Sequence, residues 1–481
     1  MRNFNLSFLT IVLSLGEYFL FLNEGEVVKM IKNMPENQIT IQIIKALKEG
    51  KQQEFQAILK ELQPYDIARI FEGVPEKYHT RFLLFLTPEQ IAELIQELEK
   101  VHQLIVLNKL GIEESGQVMD LMDNDDLASL LENLSPDKIE ELLSGMKQEE
   151  SKIVKNIMNY PPETAGRIMT NRFVWIPQHY TIRESVDKLK IFAEFSETIN
   201  YLYVIDDDKK LVGVVSYRDL IISDELEKIQ DIMYSRVISV SAETDQEEVA
   251  RVIERYDFLS VPVVEKNNEL VGIVTVDDII DVVIKEANED IEKLSASGKA
   301  IDFDTKAHVA AYRRLPWLIL LLFIGLVSGT IISGFEETLS KVVALAFFMP
   351  MIAGMTGNTG TQSLAVVVRG LITTDTNKGV VIKLIIRELQ VGLIIGITCG
   401  ILISIIAYIW QGNAVLGLVV GSSLVVTLII GTLAGTIIPL ILYKFKIDPA
   451  VASGPLITTL NDILSLLIYF GIATMFISKL M

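Results

Sequence analysis

Five long apolar segments fill the last third of this 481-residue chain and constrain its fold more than any other feature. They cover residues 316–335, 340–368, 383–410, 415–443 and 454–478. A helix needs roughly 20 residues to cross the hydrocarbon core of a bilayer, where every backbone polar group must be hydrogen-bonded within the protein. The segments therefore predict an all-α membrane domain of five spanning helices over residues 316–481.

The rest of the chain is strongly acidic. The chain has 43 Lys and Arg residues and 62 Asp and Glu residues. After residue 315 there are 8 basic and 6 acidic residues, so residues 1–315 contain 35 basic and 56 acidic residues. Nucleic acids are bound by clusters of Lys and Arg, so this balance argues against a nucleic-acid partner and favours cations. The single cysteine, Cys399, and four scattered histidines argue against a disulfide framework and a zinc site.

Basic residues beside the apolar segments predict the orientation of the membrane domain. One side carries Arg313, Arg314, Arg369, Lys378, Lys383, Arg387, Lys444 and Lys446. The other side carries only Lys341 and Lys479. Because the Lys- and Arg-rich loops of membrane proteins face the cytoplasm, we expect a multi-pass plasma-membrane protein with cytoplasmic N-terminal domains and an external C-terminus.

Two regions precede the repeat described next. Residues 1–34 form an apolar extension, which is a signal-like segment, an extra anchor or a dispensable upstream start. Residues 35–160 alternate helical apolar stripes with breaks marked by proline, which predicts an acidic, all-α superhelical N domain. Its acidic group, Asp120, Asp123, Asp125 and Asp126, is typical of a solvated helix start.

Residues 161–284 contain an internal repeat of about 60 residues. Each copy predicts strand, helix, strand, turn, strand and helix, and each contains the motif Gly-hydrophobic-hydrophobic-Ser/Thr-x-x-Asp, at residues 213–219 and 272–278. The two copies resemble an α/β tandem CBS pair. In that family the motif Asp holds a ribose hydroxyl and aromatic side chains flank an adenine. The resemblance implies a nucleotide site at Tyr201, Arg218, Asp219 and Phe258, with a structural pair and an empty cleft as the alternative.

Residues 285–315 predict an acidic connector helix followed by a polar linker. Glu286, Glu289 and Asp290 are spaced three and four residues apart, so they share one helical face. Like charges at this spacing repel one another, and a bound cation would make the arrangement favourable.

Asp462 lies in the last apolar segment with no Lys or Arg nearby. A carboxylate at membrane depth costs about 2.5–3.5 kcal/mol on insertion scales, so it is a candidate functional residue by default. The alternative is a structural Asp that is hydrogen-bonded to a Ser or Thr of a neighbouring helix.

The second apolar segment contains Pro350, Gly354, Gly357 and Gly360, which predict a broken helix beside an aqueous cavity. Asn358, Thr359, Thr361 and Gln362 supply neutral oxygens there, and we expect Asn358 and Thr361 to line a pore with Asp462. Such an all-oxygen environment suits Mg²⁺ or Ca²⁺. One carboxylate per chain is too few for a closed cage, so a two-fold axis would pair two copies of Asp462.

This order of domains resembles the MgtE family of magnesium channels and transporters from residue 39 to the end, with specific motifs at residues 357–363 and 448–462. The resemblance implies a homodimer whose Asp462 binds hydrated Mg²⁺ in the pore. It also implies cytosolic Mg²⁺ sites that hold the channel shut. By position these sites map onto Asp123, Asp245, Glu247, Asp257, Asp278, Asp281, Glu286, Glu289, Asp290 and Asp448. Gly454 departs from the relatives that carry Asn at the pore entrance.

We therefore expect a Mg²⁺ channel that is gated shut by cytosolic Mg²⁺, with ATP as a regulatory ligand and without enzymatic activity. Oxygen ligands discriminate weakly among small divalent ions, so transport of Co²⁺ or Mn²⁺ is an alternative. A membrane-anchored nucleotide sensor is a second alternative, but it leaves Asp462 unexplained.

Overall fold

The computed structural model describes residues 35–480 except 133, 194–195, 297–300, 302–304 and 374–377. The chain divides into two compact units, residues 1–283 and residues 284–481. The apolar extension of residues 1–34 lies outside the described residues, as does part of the predicted linker.

The N domain is helical, as predicted. Its helices are α1 (Glu36–Glu49), α2 (Gln52–Leu59), α3 (Pro64–Gly73), α4 (His79–Phe85), α5 (Pro88–Glu97), α6 (Lys100–Leu110), α7 (Ile112–Met119), α8 (Asn124–Leu131), α9 (Pro136–Leu143) and α10 (Gln148–Asn159). Helices α3, α5 and α9 begin at the predicted prolines, where the missing N–H costs no hydrogen bond. The rings of Phe55 and Phe82 meet edge to face at 4.9 Å in the buried core.

The CBS pair follows the short helix α11 (Ala165–Ile168). The first copy contains β1 (Phe173–Pro177), α12 (Ile182–Phe192), β2 (Thr198–Ile205), β3 (Leu211–Ser216), α13 (Tyr217–Ile222) and α14 (Ile229–Ile232). The second contains β4 (Val240–Ser241), α15 (Gln246–Tyr256), β5 (Ser260–Val264), β6 (Leu270–Thr275) and the start of α16 (Val276–Leu294). In each sheet the first two strands are parallel and the last two antiparallel, so the predicted repeat is confirmed.

Two contacts explain the packing of the repeat. A buried hydrogen bond of 2.9 Å joins Tyr203 Oη to Ser260 Oγ and thereby links the copies. The motif glycine must lack a side chain, because a Cβ at Gly272 would lie 2.6 Å from Met169 Sδ and 2.9 Å from the Thr170 carbonyl oxygen.

The second unit contains the end of α16 and then α17 (Ala307–Gly334), α18 (Glu336–Lys341), α19 (Leu345–Thr373), α20 (Lys378–Gln411), α21 (Ala414–Lys444), α22 (Gly454–Met475) and α23 (Ile477–Leu480). By length and composition, α17, α20, α21 and α22 are suited to cross a membrane. Helix α19 is long enough at 29 residues, but polar residues in its middle reduce its apolar character. Its role as the fifth span stays a prediction.

The prediction of a broken helix at Pro350 and the following glycines was wrong, because α19 is continuous. Pro350 is the sixth residue of the helix, so it removes the one backbone hydrogen bond that an N–H at this position would donate, and the helix continues past it. The glycines instead allow close helix packing. A Cβ at Gly357 would lie 3.2 Å from Thr458 Cγ2 on α22, and one at Gly435 on α21 would meet the backbone of Gly360.

Candidate functional site

Asp462 lies in the third turn of α22, which carries Pro455 in its first turn. The residue is half-buried, and the described residues offer its carboxylate no hydrogen bond or ion pair. The alternative of a structural Asp bonded to Ser or Thr therefore finds no support in the described part of the chain. The preceding Asn461 is buried and donates to the Thr356 carbonyl oxygen at 3.3 Å, which ties α22 to α19.

The polar residues of α19 divide into two faces. Asn358 and Gln362 are exposed and Thr361 is half-buried, so these three residues lie on the more open face. Thr359 is buried, and its hydroxyl donates to the Met355 carbonyl oxygen at 2.9 Å. The hydroxyl of Thr359 is therefore used within its own helix, whereas Asn358 and Thr361, the two residues of this segment expected to line a pore, lie on the more open face.

A second group of carboxylates lies where the N domain meets the CBS pair within the first unit. Asp123 precedes α8 and accepts hydrogen bonds from Arg172 Nη1 at 3.2 Å and from Gln96 Nε2 at 2.7 Å. Asp125 is buried, and its Oδ1 atom has no hydrogen-bond partner among the described residues. A buried carboxylate oxygen without a partner is costly, so this position favours a proton or a cation.

Three further carboxylates meet at the same junction. Glu197, Asp277 and Asp278 each bring one oxygen within 4.8 Å of the others, which is close enough for a shared metal ion. Asp278 Oδ2 also accepts a hydrogen bond of 2.5 Å from Thr275 Oγ1. Gln96 Nε2 also donates to Asp126 Oδ2 at 3.0 Å, and Asp281 lies close enough for its charge to act on Asp126. We name these seven carboxylates the junction cluster: Asp123, Asp125, Asp126, Glu197, Asp277, Asp278 and Asp281.

Burial, and after it the crowding of negative charge, raises several pKa values in the junction cluster. Burial, and then the neighbouring carboxylates Glu197 and Asp277, raise the pKa of Asp278 to about 8. Burial likewise raises the pKa of Glu197 to about 7. Burial and then the charge of Asp278 raise the pKa of Asp125 well above its ordinary value, and the pKa of Asp126 is also raised, chiefly by burial. The cluster thus binds positive charge more readily than isolated carboxylates do.

These shifts predict how pH affects the first unit when divalent ions are removed. The folded state holds protons on Glu197 and Asp278 more tightly than the unfolded state, so the stabilisation is fully present below the ordinary carboxyl pKa of about 4. It is lost as pH rises through about 7 and about 8. In denaturant titrations of residues 35–283, the free energy of unfolding should fall across this range. The double variant Glu197→Gln/Asp278→Asn should flatten the dependence of the free energy of unfolding on pH. The control Asp207→Asn/Asp208→Asn, in an exposed turn, should keep the wild-type dependence. Equal pH dependence in the two variants would contradict the assignment of the effect to Glu197 and Asp278.

Three predicted ligands on the second CBS copy make other contacts. Asp245 caps α15 and accepts from the Glu247 amide at 2.9 Å. Glu247 also pairs with Arg251 Nη2 at 3.1 Å. Asp257 ends α15 with a left-handed backbone of φ 53°. The described contacts do not place these three residues in one cluster with the junction carboxylates.

The connector carboxylates form a third group, which lies within the second unit. Glu286, Glu289 and Asp290 occur on α16, and Asp448 precedes the short 3₁₀ turn Pro449–Val451. Asp448 caps that turn by accepting from the Ala450 amide at 2.8 Å. Burial raises the pKa of Asp290, and the nearby charge of Asp448 raises it further.

The predicted nucleotide residues occupy neighbouring positions in the first CBS copy. Tyr201 on β2 pairs in register with Ser216 at the end of β3. Asp219 accepts hydrogen bonds from the Ser216 amide at 3.1 Å and hydroxyl at 2.6 Å, so one of its oxygens caps α13. Arg218 beside it is exposed. Phe258 lies before β5 in the second copy and stacks on Tyr256 with a centroid distance of 5.4 Å.

Sequence reasoning missed several residues at these sites. Glu197, Asp277 and Arg172 join the junction only through tertiary packing, and no spacing rule identifies them. Within the membrane domain, Glu388 is buried and accepts a hydrogen bond of 2.9 Å from Ser363 Oγ on α19. A carboxylate at the start of an apolar run was a usable signal for Glu388, because such residues are rare in membranes.

The first unit is acidic and contains a CBS pair, and the apolar helices that follow carry a carboxylate without a partner among the described residues. These features are typical of a membrane protein that transports cations. Family profiles agree: the MgtE divalent cation transporter profile matches residues 349–472, the MgtE intracellular N domain profile matches residues 62–163, and the CBS domain profile matches residues 165–224 and 229–285.

Named relatives cover nearly the whole chain. The magnesium transporter MgtE of Bacillus subtilis is 63% identical over 94% of this chain and 100% of its own length. The magnesium transporter MgtE of Thermus thermophilus is 34% identical over 91% of this chain and 98% of its own length. A crystal structure of the soluble part of a magnesium transporter is 36% identical, with a TM-score of 0.51, and covers 53% of this chain and 100% of that one. The chain belongs to the MgtE family.

Proposed function

We propose that this protein is a magnesium transporter of the channel type, in which hydrated Mg²⁺ passes beside Asp462. The observation that carries the proposal is a half-buried carboxylate on an apolar helix, without a protein partner among the described residues. Mg²⁺ dehydrates reluctantly and prefers oxygen ligands. A homodimer with two facing copies of Asp462, and with Asn358 and Thr361 beside them, would provide such a site without a closed cage of protein ligands.

Membrane potential supplies the driving force for uptake. A divalent ion gains about 4.6 kcal/mol per 100 mV, twice the value of a unit charge. We place the acidic domains in the cytoplasm and the C-terminus outside, in agreement with the distribution of Lys and Arg in the short loops. Transport down this gradient requires no enzymatic step.

Regulation follows from the carboxylate groups. When cytosolic Mg²⁺ is scarce, the crowded carboxylates of the junction cluster must either repel one another or take up protons, and both disfavour the compact arrangement. When Mg²⁺ is abundant, ions bridge these carboxylates and stabilise that arrangement by differential binding. Glu286, Glu289, Asp290 and Asp448 would act in the same way at the connector. The compact arrangement is the closed state in this proposal.

Flux measurements in proteoliposomes test the transport function directly. We expect Mg²⁺ influx well above that of empty vesicles, and a decrease in influx when Mg²⁺ is raised on the side of the acidic domains. Faster Co²⁺ or Mn²⁺ flux under matched gradients would assign a different principal ion. Absence of flux for all three ions, combined with tight nucleotide binding, would replace the proposal with the nucleotide-sensor alternative.

We also propose that ATP binds the first CBS copy, with the ribose at Asp219 and the adenine near Tyr201 and Phe258. Exposed Arg218 lies beside Asp219, where its charge suits a phosphate group. Arg218→Ala should weaken ATP binding about tenfold, the loss of about 1.4 kcal/mol expected for a charge-assisted contact. Titration calorimetry checks this, with the exposed Arg183→Ala on α12 as the matched control. If the two variants bind ATP with equal affinity, the phosphate groups do not contact Arg218.

A further inference from the structure

Lys293 lies in the middle of the connector carboxylates. Its Nζ atom is 2.5 Å from Glu289 Oε1 on the same helix and 2.5 Å from Asp448 Oδ2 in the segment before α22. Burial opposes the charged form, but the hydrogen bonds to Asp448 and Glu289 outweigh it and raise the pKa of Lys293. The ammonium group is therefore charged at physiological pH, and it links the end of α16 to the membrane domain.

An apolar contact holds the same end of α16. Leu294, the last residue of the helix, packs beside Leu364, Ala452 and Ile457. Its carbonyl oxygen lies 3.6 Å from the position of a Cβ at Gly454. The end of α16 thus packs against the membrane domain through a small apolar patch, and the Lys293–Asp448 ion pair lies beside that patch. The patch alone is small, so the charges decide how firmly the helix end is held.

The ammonium resembles a divalent ion in what it does for these carboxylates. It offers three N–H donors and one positive charge, and it contacts two oxygens that belong to different segments. A Mg²⁺ ion between Glu289, Asp290 and Asp448 would link the same segments with twice the charge. The single charge of Lys293 leaves this group of three carboxylates negative overall, so a divalent ion retains an attraction to it.

We propose that Lys293 is a tethered cation that takes the place of a divalent ion between Glu289 and Asp448. It offsets part of the repulsion among these carboxylates when divalent ions are scarce, and so limits how far the end of α16 is released from the membrane domain. This inference rests on the proposed function, because it assigns a further residue to the regulation of the same carboxylates. A Mg²⁺ ion that binds there must displace the ammonium, so Lys293 also lowers the affinity of this position for divalent ions.

Two consequences separate this role from ordinary helix stabilisation. First, removal of the charge should loosen the helix end only when divalent ions are absent, because Mg²⁺ replaces the missing ammonium. Second, Arg at the same position should preserve the attachment, because its guanidinium keeps the positive charge and donates to both carboxylates. A merely structural contribution from the Lys side chain would show neither the rescue by Mg²⁺ nor the rescue by Arg.

Hydrogen–deuterium exchange of the full-length protein in detergent, with and without saturating Mg²⁺, tests the proposal. In chelator, the amides of residues 284–294 in Lys293→Gln should exchange about three- to fivefold faster than in wild type, as expected for a partly exposed ion-pair network. In Mg²⁺ the two proteins should exchange alike. Lys293→Arg should match wild type in both conditions. Lys285→Gln, which removes the same charge from an exposed position on the same helix, should also match wild type.

The proposal is overturned if the amides of Lys293→Gln exchange at the wild-type rate in chelator. It is also overturned if Lys285→Gln speeds exchange as much as Lys293→Gln does, or if Mg²⁺ fails to slow exchange in Lys293→Gln. The exchange readout does not depend on transport, so failure of the proposed function appears separately as absence of Mg²⁺ flux in the wild type. Failure of the Lys293 proposal leaves wild-type flux intact.

Discussion

Substitution of Asp462 by Asn should reduce Mg²⁺ flux on the order of a hundredfold, which corresponds to about 2.8 kcal/mol at 1.4 kcal/mol per tenfold change. Asn keeps the size and one oxygen of the side chain but removes the charge. A hydrated divalent ion that enters an apolar domain loses much of its interaction with bulk water, so a facing carboxylate contributes strongly to its stability there. The carboxylate of Asp462 has no partner among the described residues, so its removal breaks no ion pair with them.

The measurement is the initial rate of Mg²⁺ uptake in proteoliposomes that contain equal amounts of folded protein. Glu337→Gln is the matched control, because Glu337 is an exposed carboxylate of the same domain that pairs with Lys341 at 2.5 Å. The control should retain near wild-type flux. Full flux in Asp462→Asn would move the ion path away from α22, and equal losses in both variants would indicate a general effect of charge on the domain.

Neutralisation of Asp125 and Asp278 together should remove most of the response to cytosolic Mg²⁺. Burial disfavours the charged forms of both carboxylates, the charges of neighbouring carboxylates add to this effect, and the charge of Asp278 raises the pKa of Asp125. In Asp125→Asn/Asp278→Asn the junction no longer needs a cation in order to stay compact. The ratio of flux at low to flux at high cytosolic Mg²⁺ should therefore fall about tenfold or approach one.

A second, independent prediction concerns the protection of the same variant from proteolysis. Mg²⁺ should protect the wild-type junction from proteolysis, whereas the protection of Asp125→Asn/Asp278→Asn should be similar with and without Mg²⁺. Asp207→Asn/Asp208→Asn removes two charges from an exposed turn and should respond like wild type. A Mg²⁺ response of wild-type size in the junction variant would contradict a regulatory role of these two carboxylates.

Much of the fold was predictable because local patterns determine it. Prolines at helix starts and apolar stripes predicted the N domain, and the repeated Gly-to-Asp motif predicted the CBS pair. The same local reasoning was wrong for α19, where Pro350 and the glycines indicated a break. Gly357 and Gly360 instead permit close contact with α22 and α21, and that use depends on neighbouring helices that the sequence does not specify.

The sequence by itself determined the order of domains, the apolar helices, the excess of acidic residues and the single carboxylate of the last helix. These features depend on composition and on periodicities of a few residues, which are local properties of the chain. Only the tertiary structure decided which charges meet. Glu197 lies about 80 residues from Asp277 and Asp278, and Lys293 lies about 155 residues from Asp448, yet their charged groups lie within a few ångströms. Electrostatic interactions depend on distance in space, so their partners become known only when the packing is known.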